Sequence, residues 1–203
     1  MRPRGRPRDP ARLDRILVAG REHFADGGFE KASMEGIAAS AGVSKVTVYS
    51  YFPSKEALFN AIVNRPIQRA FEFDVEELDA CNPSGSLLRI AETYLELITS
   101  PEVIEHLRLL HGSAVSNPSL GESFLDTGPE AIIGGLVKYL RAACACGSLA
   151  IPDVPRAAEQ FVAMVRGNEQ IRLLLGQPAL RGRAARKNYC KSSVALFVRG
   201  FTR

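Results

Sequence analysis

Apolar residues recur at three- and four-residue intervals through almost the whole chain, and a period of two is sustained nowhere. Leu13, Ile16, Leu17, Gly20 and Phe24 form one stripe of a buried helical face, behind Asp9 as a cap and Pro10 at the first helical position. Gly20 on that stripe implies a close helix crossing. Gly27-Gly28 ends the helix, and Phe29 is expected to fold back into the core. Ile37 and Ala38 bury a short second helix capped by Ser33. Val48 and Phe52 face inward from a third, spanning Ser44 to Phe52. Gly42 sits in the sharp turn between them, where only glycine takes positive φ without strain. Pro53 stops the third helix. Ser54 caps a fourth, with Glu56 in its first turn and Ala57, Leu58, Ala61 and Ile62 inward. Pro66 falls inside the continuing pattern and marks a kink or a restart, a place suited to a hinge.

Asn82-Pro83-Ser84-Gly85 reads as a loop. Beyond it the inward positions are Leu88, Ala91, Leu95 and Ile98, then Val103, Ile104, Leu107 and Leu110 after Ser100-Pro101. Asn117-Pro118 and Gly128-Pro129 bracket a short segment with Leu120, Phe124 and Leu125. Ile132, Ile133, Leu136, Tyr139 and Leu140 mark a longer helix closing at Gly147. After the linker Ile151 to Pro155 come Ala158, Phe161, Val162 and Val165, then Ile171 and Leu174 up to Gly176, and a final helix over about Arg183 to Arg199. The predicted fold class is all-α. It comprises a flexible basic arm (1–9), a three-helix helix-turn-helix unit (10–53) and a larger helical domain (54–203).

A hydrophobic share of 46% is ample for a core, and no window approaches the roughly 18 consecutive apolar residues of a membrane span. The first residues, MRPRGRPRDP, carry no apolar stretch behind their charges, so a cytoplasmic protein with no membrane partner is expected. The net charge of +4 is unevenly spread. Six arginines fall within residues 1–15, and seven basic residues with no acid fall within 181–203. An acidic run, Glu72, Asp74, Glu76, Glu77 and Asp79, reads as a solvated helix face. The Arg-Gly-Arg-Pro stretch at 4–7 resembles the core of minor-groove AT-hook arms, so Arg4 and Arg6 are expected in a narrow A·T groove.

Two short helices around a tight turn, with Lys45, Thr47, Tyr49 and Ser50 pointing outward from the second, constitute a helix-turn-helix with its recognition helix at Ser44 to Phe52. From Ala32 to Phe59 the pattern I-A-x-x-A-G-V-S-x-x-T-V-Y-x-Y-F-x-S-K-E-x-L closely resembles the DNA-binding signature of the tetracycline-repressor (TetR) family of bacterial regulators. Val46 departs from it where many members carry glycine or another small residue, which leaves the operator sequence open. The stretches F-V-x-x-V-R-G-N-E-Q-x-R-L-L-L-G (161–176) and V-A-L-F-V-R-G-F (194–201) resemble the C-terminal region of one branch of that family.

The resemblance implies a homodimer on a pseudo-palindromic double-stranded DNA operator, acting as a repressor released by a small-molecule effector. Lys45, Val46, Thr47 and Tyr49 would lie against bases or adjacent backbone. Ser33, Ser44, Tyr51 and Lys55 would hold phosphates. The effector pocket falls in the middle helices, 84–176, with Tyr94, His106, Leu107, His111, Phe124, Tyr139 and Phe161 as candidate lining residues. Val165, Leu173, Val194, Phe197 and Phe201 are the candidate dimer interface. A DNA-binding architectural protein without an effector is the alternative.

Other chemistry finds little support. His106 and His111 are five apart and so on different helix faces, and Cys144-Ala145-Cys146 has no second ligand pair nearby, so no metal is expected. No Gly-rich phosphate loop follows a strand and no Ser/His/Asp arrangement stands out, so neither a cofactor nor an enzyme is expected. The cysteines, Cys81, Cys144, Cys146 and Cys190, read as reduced small residues, with a thiol switch as the other reading.

Overall fold

The computed structural model describes residues 9–70 and 78–202, with the backbone alone at 66–70 and Thr127. The Arg4 and Arg6 arm and the acidic positions 72 to 77 lie outside the described residues, which form eleven helices and no strand. The helices are α1 (Pro10–Lys31), α2 (Met34–Ser40), α3 (Lys45–Tyr51), α4 (Lys55–Ala70), α5 (Pro83–Ile98), α6 (Pro101–Ala114), α7 (Pro118–Thr127), α8 (Pro129–Ala145), α9 (Val154–Arg166), α10 (Glu169–Leu174) and α11 (Arg183–Phe201). They divide into two compact units. The first is Met1–Arg65 with Arg108–Phe124, and the second is Pro66–Leu107 with Leu125–Arg203.

In the first unit, short polar side chains start the helices as their sequence positions suggest. Asp9 accepts from the Ala11 amide at 3.0 Å, Ser33 from Gly36 at 3.1 Å and Ser54 from Ala57 at 3.1 Å. The long helix α1 breaks at Gly28 (φ 72°, ψ 174°), which lets Phe29 turn inward. Phe24, Phe29 and Phe59 then form a ring cluster with centroids 5.2–5.8 Å apart. Gly20 makes the close crossing: a Cβ there would lie 2.8 Å from Ile62 Cδ1 and 3.3 Å from Leu58. Around these sit the buried Ile16, Ile37, Val48, Phe52 and Val63. The segment 108–124 joins this unit through Asn60, which donates to the Ser123 hydroxyl at 2.8 Å, and Asn117, which donates to the Glu30 carboxylate. The helix α4 continues through Pro66 to Ala70.

The second unit packs α5 against α9 and α11, and α8 against α9. On α5 the expected Ala91, Leu95 and Ile98 are buried, joined by Leu87, Ile90 and Tyr94, while Leu88 is only half-buried. Asn82 accepts from the Gly85 amide at 3.2 Å, so Pro83 opens the helix where a loop was expected. Asp153 does the same for α9.

The deepest polar group of this unit is Glu169, 1% exposed at the start of α10. Its carboxylate accepts from Arg181 Nη1 at 3.1 Å, from the Arg181 amide at 3.2 Å and from Arg186 Nη2 at 3.2 Å. Arg186 also donates to the Thr99 hydroxyl at 3.3 Å, and Arg181 lies over the Tyr189 ring at 4.0 Å. One carboxylate thereby ties α10, the loop behind it, α11 and the end of α5. Removing only the carboxylate leaves two guanidinium groups facing an uncharged amide. Glu169→Gln is therefore expected to lower unfolding free energy by about 3 kcal/mol, seen as a lower urea midpoint. An unchanged midpoint would show that the cluster contributes no net stability.

Candidate nucleic-acid interface

The turn between α2 and α3 is closed by backbone bonds. Gly42, at φ 64°, donates to the Ala39 carbonyl at 3.1 Å, and Val43 donates to Ala38 at 3.0 Å, the paired bonds that end a helix in a left-handed residue. Ser44 caps α3, accepting from the Thr47 amide at 3.1 Å, and its hydroxyl also bonds the Thr47 hydroxyl at 2.9 Å. Ser50 Oγ donates to the Thr47 carbonyl at 2.7 Å. Val48 and Phe52 are buried and anchor the helix from beneath.

What remains outward is a face of Lys45, Val46, Tyr49 and Ser50. Val46 is 79% exposed and Tyr49 42%. The Lys45 ammonium stands 5.7 Å from the Tyr49 ring centroid and forms an ion pair with Glu35 across the turn, on α2. That hydrogen bond holds the Glu35 carboxyl below its usual range and the Lys45 amine above its own. Glu35 has no signal in the sequence, because the contact depends on the angle between two helices.

Three expected contact residues are occupied within the unit. Thr47 is half-buried, with its hydroxyl turned back onto Ser44, since the third helical position lies beside the cap. The Tyr51 hydroxyl donates to the Asp9 carbonyl at 3.1 Å, at the start of α1. The Lys55 ammonium donates to the carbonyls of Phe29 at 2.8 Å, Ala32 at 3.1 Å and Glu30 at 3.4 Å, and lies 4.4 Å from the centroid of the Phe29 ring. A phosphate would have to displace those bonds. Ser33 remains exposed at the start of α2 and Ser44 at the start of α3.

A local turn, an N-capped short helix and an outward polar face are the parts of a helix-turn-helix. The family model for "Bacterial regulatory proteins, tetR family" matches residues 16–62. The model for "AefR-like transcriptional repressor, C-terminal domain" matches residues 85–203, more than half of the chain. The chain belongs to the TetR family. That family is one of transcriptional regulators, not of enzymes. The HTH-type transcriptional regulator UidR of Escherichia coli is 48% identical over 56 residues, covering 28% of this chain and 29% of UidR. The HTH-type transcriptional activator FasR of Mycolicibacterium smegmatis is 34% identical over 93 residues, 45% of this chain and 42% of FasR. The chain thus spans less than half the length of these curated relatives. Among solved structures, the flavonoid-responsive regulator FrrA superposes with a TM-score of 0.79 at 29% identity, covering 96% of this chain and 98% of its own. A TetR transcriptional regulator from Agrobacterium tumefaciens matches at 0.76 with 22% identity over 94% of each chain, a likeness of fold.

The other candidate residues of this TetR-family chain are distributed unevenly. Tyr94, His106, Leu107, Tyr139 and Phe161 are buried in the second unit, whereas His111 is exposed and Phe124 half-buried in the first. Burial pushes the Tyr94 hydroxyl up, with Arg166 opposing. The Tyr139 hydroxyl is used as a tether, donating to the Asp79 carbonyl at 3.2 Å, and the Phe161 ring packs on Phe197 with centroids 4.9 Å apart. Two cavities of the second unit, of about 510 and 490 Å³, are lined by none of these effector candidates.

The expected dimer residues divide by burial within the chain. Val165, Val194 and Phe197 are buried in the chain's own core, where α9 and α11 pack together, and Leu173 and Phe201 are half-buried. Apolar periodicity identifies a buried stripe and does not say which helix buries it. Outward on the same unit lie Ile171, Leu175, Leu180 and Leu196, with Leu175 70% and Leu196 54% exposed. No helix among the described residues is long and apolar enough to cross a membrane.

The Lys55 geometry makes a stability effect the expected one. Lys55→Met keeps the stem and removes the three charged hydrogen bonds, lowering unfolding free energy by about 2 kcal/mol in urea titration. Retention of full stability would mean that the ammonium is free to serve elsewhere.

Proposed function

We propose that this chain is a sequence-specific DNA-binding transcriptional repressor, acting as a homodimer in the cytoplasm and released from its operator by a small molecule. The observation that carries the reading is the outward face of Lys45, Val46 and Tyr49 on a capped α3, in a chain of the TetR family. Val46 is an apolar side chain with nothing of its own chain to cover it, the partner that a thymine C5-methyl group takes in the major groove. Lys45 exchanges Glu35 for a base edge or phosphate, and Tyr49 lies beside it. Ser33 and Ser44, at helix N-termini, hold phosphates along with the backbone amides there. Arg4 and Arg6 enter the adjacent minor groove. Thr47 and Tyr51 act indirectly by fixing the cap of α3 and the start of α1. Lys55 acts by closing the end of α1.

The match to an AefR-like transcriptional repressor domain supports repression, and the flavonoid-responsive relative supports a small-molecule effector. Tyr94, His106 and Leu107 are the positions where a buried effector meets this chain. Such an effector must bind the DNA-incompetent form more tightly, because equal binding shifts nothing.

Selection of bound sequences from a random DNA pool is expected to return an inverted repeat with half-sites about one helical turn, ~34 Å, apart. Val46→Ser then reduces the preference for thymine at one position several-fold, while Lys45→Met weakens binding and flattens the salt slope by about 1. Recovery of no shared sequence would replace this reading with an architectural one.

Pairing is expected through the outward apolar face of the second unit. Leu175→Glu and Leu196→Glu together should give a sedimenting species of one chain mass where the unsubstituted chain gives two. A dimer that survives both changes places the interface elsewhere.

A further inference from the structure

Cys81 and Cys146, 65 residues apart, bring their sulfur atoms to 2.7 Å, and both residues are exposed. Cys81 directly precedes the cap of α5, and Cys146 caps the C-terminal end of α8. The meeting is held from both sides. The Tyr139 hydroxyl donates to the Asp79 carbonyl at 3.2 Å, and the Ser148 hydroxyl donates to the Ala80 carbonyl at 2.7 Å. The Ser86 hydroxyl donates to Asp79 at 2.8 Å, and the Cys81 amide donates to the Asp79 carboxylate at 2.9 Å. Two of these contacts, from Tyr139 and Ser148, hold residues 79–81 against α8 and the turn behind it, and the other two fix the local shape of that segment before α5.

The two thiols are not equivalent. Cys81 donates its S–H to the Cys146 sulfur, and this bond, with help from Ser148, holds the Cys146 thiol below its usual range while pushing Cys81 up. Two thiols are thus already in contact, with the Cys146 sulfur as acceptor. Cys190 offers the contrast. It is buried, its thiol is pushed up to about 11 by burial, and it has no such neighbour in contact.

We propose that Cys81 and Cys146 form an oxidant-responsive site that a hydroperoxide closes to an intramolecular disulfide, tying the start of α5 to the end of α8. The Cys146 thiolate attacks one peroxide oxygen. The O–O bond breaks, an S–O bond forms, and the other oxygen leaves as alkoxide, or as hydroxide when the oxidant is hydrogen peroxide, and takes up from water the proton that Cys146 released on becoming a thiolate. The Cys81 sulfur then attacks the sulfenic sulfur. The S–S bond forms, the S–O bond breaks, and the hydroxyl departs as water with the Cys81 proton. Two thiols lose two electrons in total and one peroxide gains them. Closing the bond brings the sulfurs from 2.7 Å to about 2.05 Å, a movement within side-chain freedom. Because the pair is exposed, a thiol reductant reaches the bond and reverses it, as in labile regulatory disulfides.

The test uses the full chain and hydrogen peroxide, and its readout does not depend on DNA binding. Thiol titration under denaturing conditions should fall from four to two, with a mass decrease of about 2 Da. Peptide mapping should join Cys81 to Cys146, and dithiothreitol should restore all the thiols. The oxidised chain should melt roughly 5–10 °C higher, because the bond closes a long loop. Cys144→Ser should close the same bond at the same rate, whereas Cys81→Ser should stop at oxidised, unbridged Cys146. Four thiols persisting under peroxide, a Cys144–Cys146 bond or a bond between chains would each overturn the proposal.

Discussion

A helix ends with carbonyl oxygens that its own backbone cannot satisfy, and at the end of α1 these are closed by a cation from another helix. Lys55 reaches back from the first turn of α4 to three carbonyls and rests on the Phe29 ring. That contact sets where α1 stops relative to α4, and so brings Phe24, Phe29 and Phe59 together. It also sets the level at which Gly20 meets Leu58 and Ile62, where a side chain on α1 would not fit. The outward face of α3 depends on this arrangement. A seven-residue helix has no stability of its own in water, so α3 persists through its cap and through Val48 and Phe52 beneath it.

The second unit uses a different kind of fastening. Its helices pack through ordinary apolar stripes, but α10 is only six residues long and is held by Glu169 and two arginines. A buried carboxylate is unfavourable unless paired, and pairing it with groups on either side of a loop makes that loop part of the core. The sulfur pair at the opposite ends of α5 and α8 belongs to the same unit, and it is exposed where the Glu169 cluster is buried. One fastening has its carboxylate buried beneath half-buried arginines. The other is open to chemistry.

Much of the fold was legible from the chain alone. The caps Asp9, Ser33 and Ser54 and the turn at Gly42 act within two to four residues, so their sequence positions sufficed. The close crossing at Gly20 was legible for a similar reason, since glycine on an apolar stripe has few other uses. On α5 the expected Ala91, Leu95 and Ile98 are buried, but of the adjacent Leu87 and Leu88 it is Leu87 that faces inward, a choice made by packing against α9 and α11. Within the candidate site, the outward placement of Lys45 and Tyr49 followed from helical period. The committed states of Thr47, Tyr51 and Lys55 did not, because each bonds an atom that the period cannot locate.

The sequence by itself determined the all-α class, most of the helices, the caps at Asp9, Ser33 and Ser54, the helix-turn-helix and the family resemblance, all of which rest on near neighbours along the chain or on a continuous motif. Tertiary structure decided how the longer side chains are spent. Lys55 finds carbonyls 23 to 26 residues away, Glu169 is enclosed by arginines 12 and 17 residues ahead, and Cys81 meets a sulfur 65 residues on. It also decided that Val165, Val194 and Phe197 are core, while Leu175 and Leu196 face outward. Periodicity states that a face is apolar. Only the packed chain states what lies against it.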